Sequence, residues 1–257
     1  YYFCRMDYPV LEVLSDLKLA LADHRIVILQ APPGAGKSTV LPLQLMHEPW
    51  LRSGKIIMLE PRRLAARSVA MRMADISHEE VGKSIGYRVR FENRVSNQTR
   101  IEVVTEGILT RMIQSDNSLE EVGLLVFDEF HERSLQADLA LALSLQVQQV
   151  LRDDLRILIM SATLDSEKLS SLLKAPVITS SGRQHPVTIQ YWPGDQNTPV
   201  HLRMAKAIRK ALAEHKGDVL AFFPGAGEIQ RTAELLEQEN LPVSLHPLFG
   251  DLSFAKQ

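Results

Sequence analysis

Short runs of apolar residues alternate along most of the chain with longer segments whose apolar positions recur at helical spacing. The runs predict buried β-strands at 26–30, 55–60, 100–105, 124–128 and 157–161. The other segments predict helices at 10–23, 38–46, 64–74, 107–114, 135–150 and 165–173. Because strands that are apolar on both faces must be covered on both sides, this alternation predicts an α/β fold with a parallel sheet between helices.

The pattern changes near residues 180–186, where Ser, Gly and Pro cluster as they do in linkers. So few strands follow that they would make a poor sheet alone, and we interpret 182–257 as the beginning of a second α/β domain, after a first domain at 9–181. Residues 1–8 begin without Met and are expected to be a disordered or foreign segment. The second domain is predicted to contain strands at 187–191, 219–223 and 243–245 and helices at 200–215 and 228–239.

The composition is that of an ordinary globular protein, with 45% hydrophobic and 23% charged residues. The formal net charge of −2 excludes a general attraction to polyanions, so any contact with nucleic acid must come from local clusters of Arg. The single cysteine, Cys4, cannot form a disulfide within the chain, which favours a reducing compartment. No apolar run approaches the roughly 20 residues of a membrane span. We therefore expect a cytoplasmic protein that does not enter a membrane.

A Gly-rich turn joins the first predicted strand to the next predicted helix. Such a turn points backbone N–H groups and the positive end of the helix dipole at one place, which suits a chain of phosphates. The Lys37 ammonium would reach the β and γ phosphates of ATP, and the Ser38 hydroxyl would be a ligand of the bound Mg²⁺. Ala31 stands where the strict phosphate-loop pattern has Gly, and a chance Gly/Pro loop is the alternative. The candidate nucleotide-binding residues are Gly34, Ala35, Gly36, Lys37, Ser38 and Thr39.

Two adjacent acids, Asp128 and Glu129, follow the apolar run that predicts the fourth strand. In a phosphate-loop ATPase the first such carboxylate holds Mg²⁺, and the second orients and deprotonates the attacking water. We assign these tasks to Asp128 and Glu129 in that order, and we count both as candidate Mg²⁺ ligands. The alternative is a pair of solvated acids in a turn. Ligands of parallel sheets lie beyond the carboxyl ends of the strands, where this pair and the Gly-rich turn are both predicted to be.

The tetrapeptide at 128–131, Asp-Glu-Phe-His, resembles the Asp-Glu-Ala-His box of the DEAH helicases of superfamily 2, with Phe130 in place of the usual Ala. The longer run 128–141 and the run 60–67 are similar to the bacterial HrpB type in particular. The resemblance extends from about residue 10 over nearly the whole chain. It implies a RecA-like phosphate-loop domain and the start of a second one, which use ATP and Mg²⁺ to move along a single nucleic-acid strand, with RNA favoured over DNA.

The resemblance also assigns roles to residues outside the two phosphate-site motifs. Residues 61–66, 104–107, 161–163 and 220–225 match helicase motifs Ia, Ib, III and IV, and 86–92 resembles an arginine-bearing loop that touches RNA. It places Arg63, Arg90 and Thr105 on nucleic-acid phosphates, Arg72 on the adenine, and Ser161 and Thr163 in coupling to domain movement through His131. Together with Lys37, Asp128 and Glu129, His131 forms the candidate catalytic set. For Arg63 and Arg90 the alternative is a solvated face or a structural ion pair.

The arginine finger of the family belongs to a motif that these 257 residues do not contain. We therefore expect this segment to bind ATP but to hydrolyse it slowly. Two alternatives stay open: a nucleotide-dependent RNA-binding module without efficient catalysis, and an ATPase unrelated to nucleic acid. The second is disfavoured because the Leu-Ser-Gly-Gly-Gln signature of transporter ATPases is absent from the sequence. The sequence does not indicate protein partners.

Overall fold

A sheet of eight strands organises the first part of the chain in the computed structural model. The strands are β1 (Ile26–Gln30), β2 (Lys55–Glu60), β3 (Ile85–Val89), β4 (Glu92–Arg94), β5 (Ile101–Thr105), β6 (Val122–Phe127), β7 (Arg156–Ser161) and β8 (Val177–Thr179). Their order across the sheet is β4-β3-β5-β2-β6-β7-β1-β8. Neighbouring strands are parallel except β3 and β4, which are antiparallel. The predicted α/β class and parallel sheet are confirmed.

The structure describes residues 8–162, 166–182, 186–192, 194–195, 197–239, 241–250 and 252. These residues belong to two compact units, one within Tyr1–His185 and one within Pro186–Gln257. The first unit therefore holds the sheet and every predicted site residue up to Ser161.

Helices cover both faces of the sheet. The first unit contains α1 (Leu14–Asp23), α2 (Leu41–Leu45), α3 (Arg63–Ile76), α4 (Glu106–Ser115), α5 (Leu135–Val150) and α6 (Ser166–Leu173). One core cluster includes buried residues of α1, α2 and α3, and a second includes those of α4 and α5. Successive residues of β1 enter opposite clusters: Val27 and Leu29 lie in the first and Ile28 in the second. None of the helices in the described ranges is long and apolar enough to cross a bilayer.

The helix after the Gly-rich turn is shorter than predicted. Residues 37–40 form turns, and the regular helix α2 begins only at Leu41. The backbone N–H groups of Val40 and Leu41 both donate to the Gly36 carbonyl, at 3.0 and 3.3 Å, so the chain is wound into a turn before the regular helix begins. Pro42 then occupies the first turn of the helix, where its missing N–H removes no hydrogen bond.

The stretch at 86–92, which we predicted to be a loop, is mostly a β-hairpin. Residues up to Val89 belong to β3, residues from Glu92 belong to β4, and only Arg90 and Phe91 form the turn. Phe91, the second residue of this turn, has a φ of 68°, in the left-handed region that residues with a side chain seldom adopt. The prediction missed these strands because charged residues interrupt their apolar pattern.

The second unit contains α7 (Val200–Glu214) and α8 (Ala226–Glu237), which pack against each other. The strands predicted at 187–191, 219–223 and 243–245 are wrong, since none of these runs forms a strand in the structure. A strand needs a neighbour for its backbone N–H and C=O groups, and an apolar pattern cannot supply one. Their side chains are largely exposed, as 83% for Val187 and 81% for Phe222 illustrate.

Candidate functional site

The carboxyl ends of β1, β6 and β7 lie side by side. β7 pairs with β1 on one side and with β6 on the other, and Gln30 at the end of β1 is the register partner of Ser161 at the end of β7. The backbone N–H of Ala31 extends this ladder by donating to the Ser161 carbonyl at 3.0 Å. The Gly-rich turn, the acid pair and the end of β7 therefore meet at one edge of the sheet, as predicted.

Lys37 points back into the Gly-rich turn and is buried, with 3% of its surface exposed. Its Nζ lies 3.4 Å from Oε1 of Glu129 and also donates to the Pro32 carbonyl at 3.4 Å. A buried ammonium is costly unless it is paired, so Glu129 supplies the compensating charge. The structure thus brings together the predicted phosphate-binding cation and the predicted catalytic carboxylate.

Glu129 has an unusual backbone conformation. Its φ of 49° and ψ of 34° place it in the left-handed region, which costs a residue with a side chain on the order of 1–2 kcal/mol. The N–H of Glu129 donates to Oδ1 of Asp128 at 2.8 Å, which stabilises the sharp turn from β6 into the one-turn 3-10 helix Phe130–Glu132. The turn directs Glu129 toward Lys37, so the strain serves the geometry of the site.

His131 joins the acid pair to the end of β7. Its Nδ1 accepts a hydrogen bond from the backbone N–H of Ala162 at 3.3 Å, and its Nε2 lies 3.4 Å from Oε2 of Glu129. In a neutral ring the accepting nitrogen leaves the proton on Nε2, facing the carboxylate. Ser161, the last residue of β7, is buried beside this contact. Thr163, the other predicted coupling residue, lies outside the described residues.

Asp128 is a buried carboxylate directly after β6. The residue is 5% exposed, its Oδ1 accepts the Glu129 N–H, and its side chain is also hydrogen-bonded to the Glu60 carboxyl. The described residues contain no cluster of three or more His, Cys, Asp or Glu suited to a metal. Mg²⁺ is commonly held by one or two carboxylates, with water and phosphate as the other ligands. The predicted donor Asp128 fits that chemistry, and the role of the Ser38 hydroxyl stays a prediction.

Glu60 is a buried carboxyl that the sequence reasoning missed. It ends β2 with 3% of its surface exposed, and it lies beside Asp128 because β2 and β6 are neighbours. Burial and then the negative charge of Asp128 raise the pKa of the Glu60 carboxyl to about 10. Its place after an apolar strand is the same signal that identified Asp128, but the sequence does not reveal that their strands are adjacent.

The Gly-rich turn is braced from two sides. The Tyr8 ring packs against Gly36, where a Cβ would lie 2.9 Å from a ring carbon, and the N–H of Val10 donates to the Ala35 carbonyl at 3.0 Å. At another point of the turn, a Cβ on Gly182 would clash with the Pro32 ring. Tyr8, which we assigned to the segment before the domain, thus packs against the site.

The predicted nucleic-acid-binding residues lie on a neighbouring part of the sheet edge. Thr105 ends β5 and is the register partner of Glu60, while Arg63 is the exposed first residue of α3. Arg90 is exposed in the hairpin turn with its guanidinium 4.7 Å from the centre of the Phe91 ring. Arg72 is exposed on α3. Because the three arginines are exposed, a bound strand or base could reach their side chains, as the predicted roles require.

Comparison with known proteins gives concordant matches. The sequence profile of the DEAD/DEAH box helicase family matches residues 15–172. The chain is 54% identical over 255 residues to the ATP-dependent RNA helicase HrpB of Escherichia coli (strain K12), covering 97% of this chain and 31% of that protein. It is 39% identical over 260 residues to the ATP-dependent RNA helicase HrpA of the same strain, covering 98% of this chain and 20% of HrpA.

Solved structures agree with these sequence matches. The crystal structure of the Escherichia coli DEAH/RHA helicase HrpB matches with a TM-score of 0.92 and 53% identity, over 98% of this chain and 32% of that one. A second structure, of the E. coli DExH-box NTPase HrpB, matches with a TM-score of 0.83 and 52% identity. The chain spans about a third or less of the length of these relatives.

Proposed function

Because the chain belongs to the DEAD/DEAH box helicase family, we propose that it is part of an ATP-dependent helicase that moves along single-stranded RNA. In this proposal residues 9–181 form the first RecA-like domain, and 182–257 begin the second. The contact of Lys37 with Glu129, at 3.4 Å, is the observation that carries the proposal, because it joins the two motifs that an ATPase needs. The RNA helicase names of the relatives support RNA as the strand.

The Gly-rich turn would bind the phosphates of ATP. Backbone N–H groups of residues 34–39 form the cradle, and the Lys37 ammonium exchanges Glu129 for the phosphate oxygens. Asp128 and Ser38 would hold Mg²⁺, with Glu129 near the same ion. When bound, Mg²⁺ neutralises the charge on the phosphates. Release from Lys37 leaves the Glu129 carboxylate free to act as a base.

Glu129 and His131 would perform the proton chemistry. Glu129 orients a water and accepts its proton, while the Nε2–H of His131 holds the far oxygen of that carboxylate in place. Because His131 also accepts the Ala162 N–H, a shift of Glu129 reaches the segment after β7. We assign the coupling role to Ser161, the last residue of β7, and to Thr163, two positions later in the sequence.

Nucleic acid would lie along the part of the edge that carries Arg63, Arg90 and Thr105. Phosphate contacts of this kind carry no base information, so binding should tolerate any sequence and weaken with salt. Arg72 would stack on the adenine of ATP through its planar cation. The single cysteine of the chain supports a reducing compartment, the cytoplasm.

The test is a Glu129→Gln substitution in the full-length protein, with Asp138→Asn as a control that removes a charge elsewhere. Nucleotide binding should persist and ATP turnover should fall by about 10²–10⁴-fold, the usual contribution of a general base. Turnover that survives Glu129→Gln overturns the assignment of Glu129. Failure of Lys37→Ala to weaken nucleotide binding would overturn the phosphate site.

A second candidate function is the alternative left open by the sequence: the segment by itself would be a nucleotide-dependent RNA-binding module that binds ATP and hydrolyses it slowly. The buried Lys37, which would bind phosphate, suits this function as well. Measuring RNA-stimulated ATP hydrolysis with the purified segment separates the two. Turnover comparable to that of the full-length protein would exclude the module.

A further inference from the structure

Arg62, the first arginine of the Pro-Arg-Arg run after β2, is bound by a carboxylate from the segment that follows the acid pair. Its Nη2 donates to both oxygens of Glu132, at 3.0 and 2.9 Å. Arg62 precedes Arg63 at the start of α3, so this ion pair lies directly beside a predicted strand-binding residue. The contact thus connects the start of α3 to the segment that follows the acid pair.

Glu132 is held in place independently of Arg62. It ends the one-turn 3-10 helix Phe130–Glu132, in which Phe130 is 5% exposed and His131 is bonded to the end of β7. Ser134, just beyond it, donates its hydroxyl to Glu106 at 2.8 Å and caps α5. The backbone around Glu132 is therefore anchored on both sides, and the fold does not depend on the ion pair.

The ion pair itself is exposed, with 71% of the Arg62 side chain and 36% of the Glu132 side chain accessible. Exposed pairs of this kind contribute little to stability because water competes for both charges. A guanidinium binds phosphate with the same donor geometry that it uses for carboxylate. A phosphate of a bound strand can therefore replace Glu132 on Arg62 at little cost.

We propose that Glu132 is a positioning residue that occupies Arg62 in place of a strand phosphate, so that the Glu132 carboxylate and the strand compete for the same guanidinium. This inference rests on the proposed function, because it assumes that a strand lies along this edge. It adds that Glu132 holds the Arg62 guanidinium in a fixed direction before a strand binds. Strand binding then releases Glu132, three positions after Glu129. Glu132, which competes with the strand, lies in the same segment as Glu129, the predicted catalytic carboxylate.

The experiment measures the affinity of the 257-residue chain for a fluorescein-labelled single-stranded RNA oligonucleotide by anisotropy, over a range of salt concentrations. Glu132→Gln removes the competitor and should tighten binding by about 3-fold or more. Arg62→Gln should weaken binding and reduce the slope of log affinity against log salt by about 0.7, the loss of one phosphate contact on a single strand. In the Arg62→Gln background, Glu132→Gln should have no further effect.

Asp138→Asn is the matched control, because Asp138 forms another exposed pair, with Arg133 Nη2 at 3.0 Å. It removes the same charge and should change strand affinity by less than about 1.5-fold, well under the effect of a contact on phosphate. Equal tightening by Asp138→Asn and Glu132→Gln would overturn the inference, since net charge alone would explain both. So would tightening by Glu132→Gln that persists without Arg62.

The two proposals fail differently in this experiment. If the unchanged chain binds the strand and Glu132→Gln binds it with the same affinity, only the further inference is overturned. Absence of strand binding in every variant, including Glu132→Gln with its Arg62 freed, overturns the inference and the strand-binding part of the proposed function together. Thermal unfolding of each variant, expected at the same midpoint because both side chains are exposed, verifies that the comparison is made between folded proteins.

Discussion

Nζ of Lys37 lies 3.4 Å from Oε1 of Glu129, although one residue follows β1 and the other follows β6. Two candidate functional groups therefore pair with each other: the cation that would bind phosphate neutralises the carboxylate that would activate water. Since Lys37 is buried, its ammonium needs an anionic partner, which Glu129 supplies. In the proposed function, a phosphate that takes the place of Glu129 on Lys37 would release the Glu129 carboxylate.

Removing the Glu129 charge should favour nucleotide binding. In Glu129→Gln the Lys37 ammonium loses its internal partner, so we expect this variant to bind ATP at least as tightly as the unchanged chain. Lys37→Ala should abolish measurable binding. Titration with a fluorescent ATP analogue gives both values. Weaker binding by Glu129→Gln would show that the carboxylate contributes to the nucleotide site rather than competing for its cation.

The two glycines of the turn should respond differently to substitution. Gly34 and Gly36 both have positive φ, 77° and 90°, so alanine strains the backbone at each. A Cβ on Gly34 meets no atom within 4 Å, whereas one on Gly36 meets the Tyr8 ring at 2.9 Å. Chemical denaturation should therefore show a larger loss of stability for Gly36→Ala, by about 1–3 kcal/mol.

A double-mutant cycle checks the cause of that difference. Tyr8→Ala in the Gly36→Ala background should recover most of the extra loss, because it removes the ring that the new Cβ meets. Tyr8→Ala in the Gly34→Ala background should only add its own cost. Additive effects in both backgrounds would mean that Tyr8 does not brace Gly36.

Stability should fall with rising pH because of Glu60. Its pKa is about 10 in the folded protein against an ordinary value of 4.5, so between these values the folded state holds a proton that the unfolded state has lost. The free energy of unfolding therefore decreases as pH rises through this window. Gln has the shape of a protonated Glu side chain but does not ionise. Glu60→Gln should therefore stabilise the protein at pH 8 by about 1–3 kcal/mol.

Measurement of unfolding by urea at pH 5 and pH 8 tests this prediction. The gain from Glu60→Gln should be larger at pH 8, and the pH dependence of the variant should be flatter. Glu120→Gln, on the surface and away from the site, is the control and should change neither. A gain that is the same at both pH values would mean that the carboxyl is ionised in the folded protein.

The Ser134 side chain should contribute measurably to the free energy of unfolding because it makes two hydrogen bonds. Its Oγ accepts the Ala137 N–H at 2.9 Å as the cap of α5, and its hydroxyl donates to Glu106 at the start of α4. We expect Ser134→Ala to lower the free energy of unfolding by about 1 kcal/mol or more, the usual value of a cap. Ser171→Ala, which loses a bond within one exposed helix, should cost less than about 0.5 kcal/mol. Equal losses would refute the capping role.

Local pattern was sufficient to locate the elements that hold the candidate site residues. The strands β1, β2, β6 and β7 were predicted to within two residues, because each is an unbroken apolar run between polar turns. The Gly-rich turn and the acid pair were found because the residues of each motif are contiguous in sequence. The hairpin β3–β4 was missed since charged residues such as Arg88, paired with Glu102 at 2.8 Å, interrupt its pattern.

The sequence by itself thus determined which residues could bind phosphate and activate water, and the tertiary structure decided which of them meet. Strand order is set by contacts between distant segments, and no local pattern encodes it. That order placed β7 between β1 and β6, brought Lys37 to Glu129, and set Glu60 beside Asp128. It also closed the Arg62–Glu132 pair, whereas the run at 187–191 found no neighbour and formed no strand. Pairing needs a partner in space, which only the folded chain supplies.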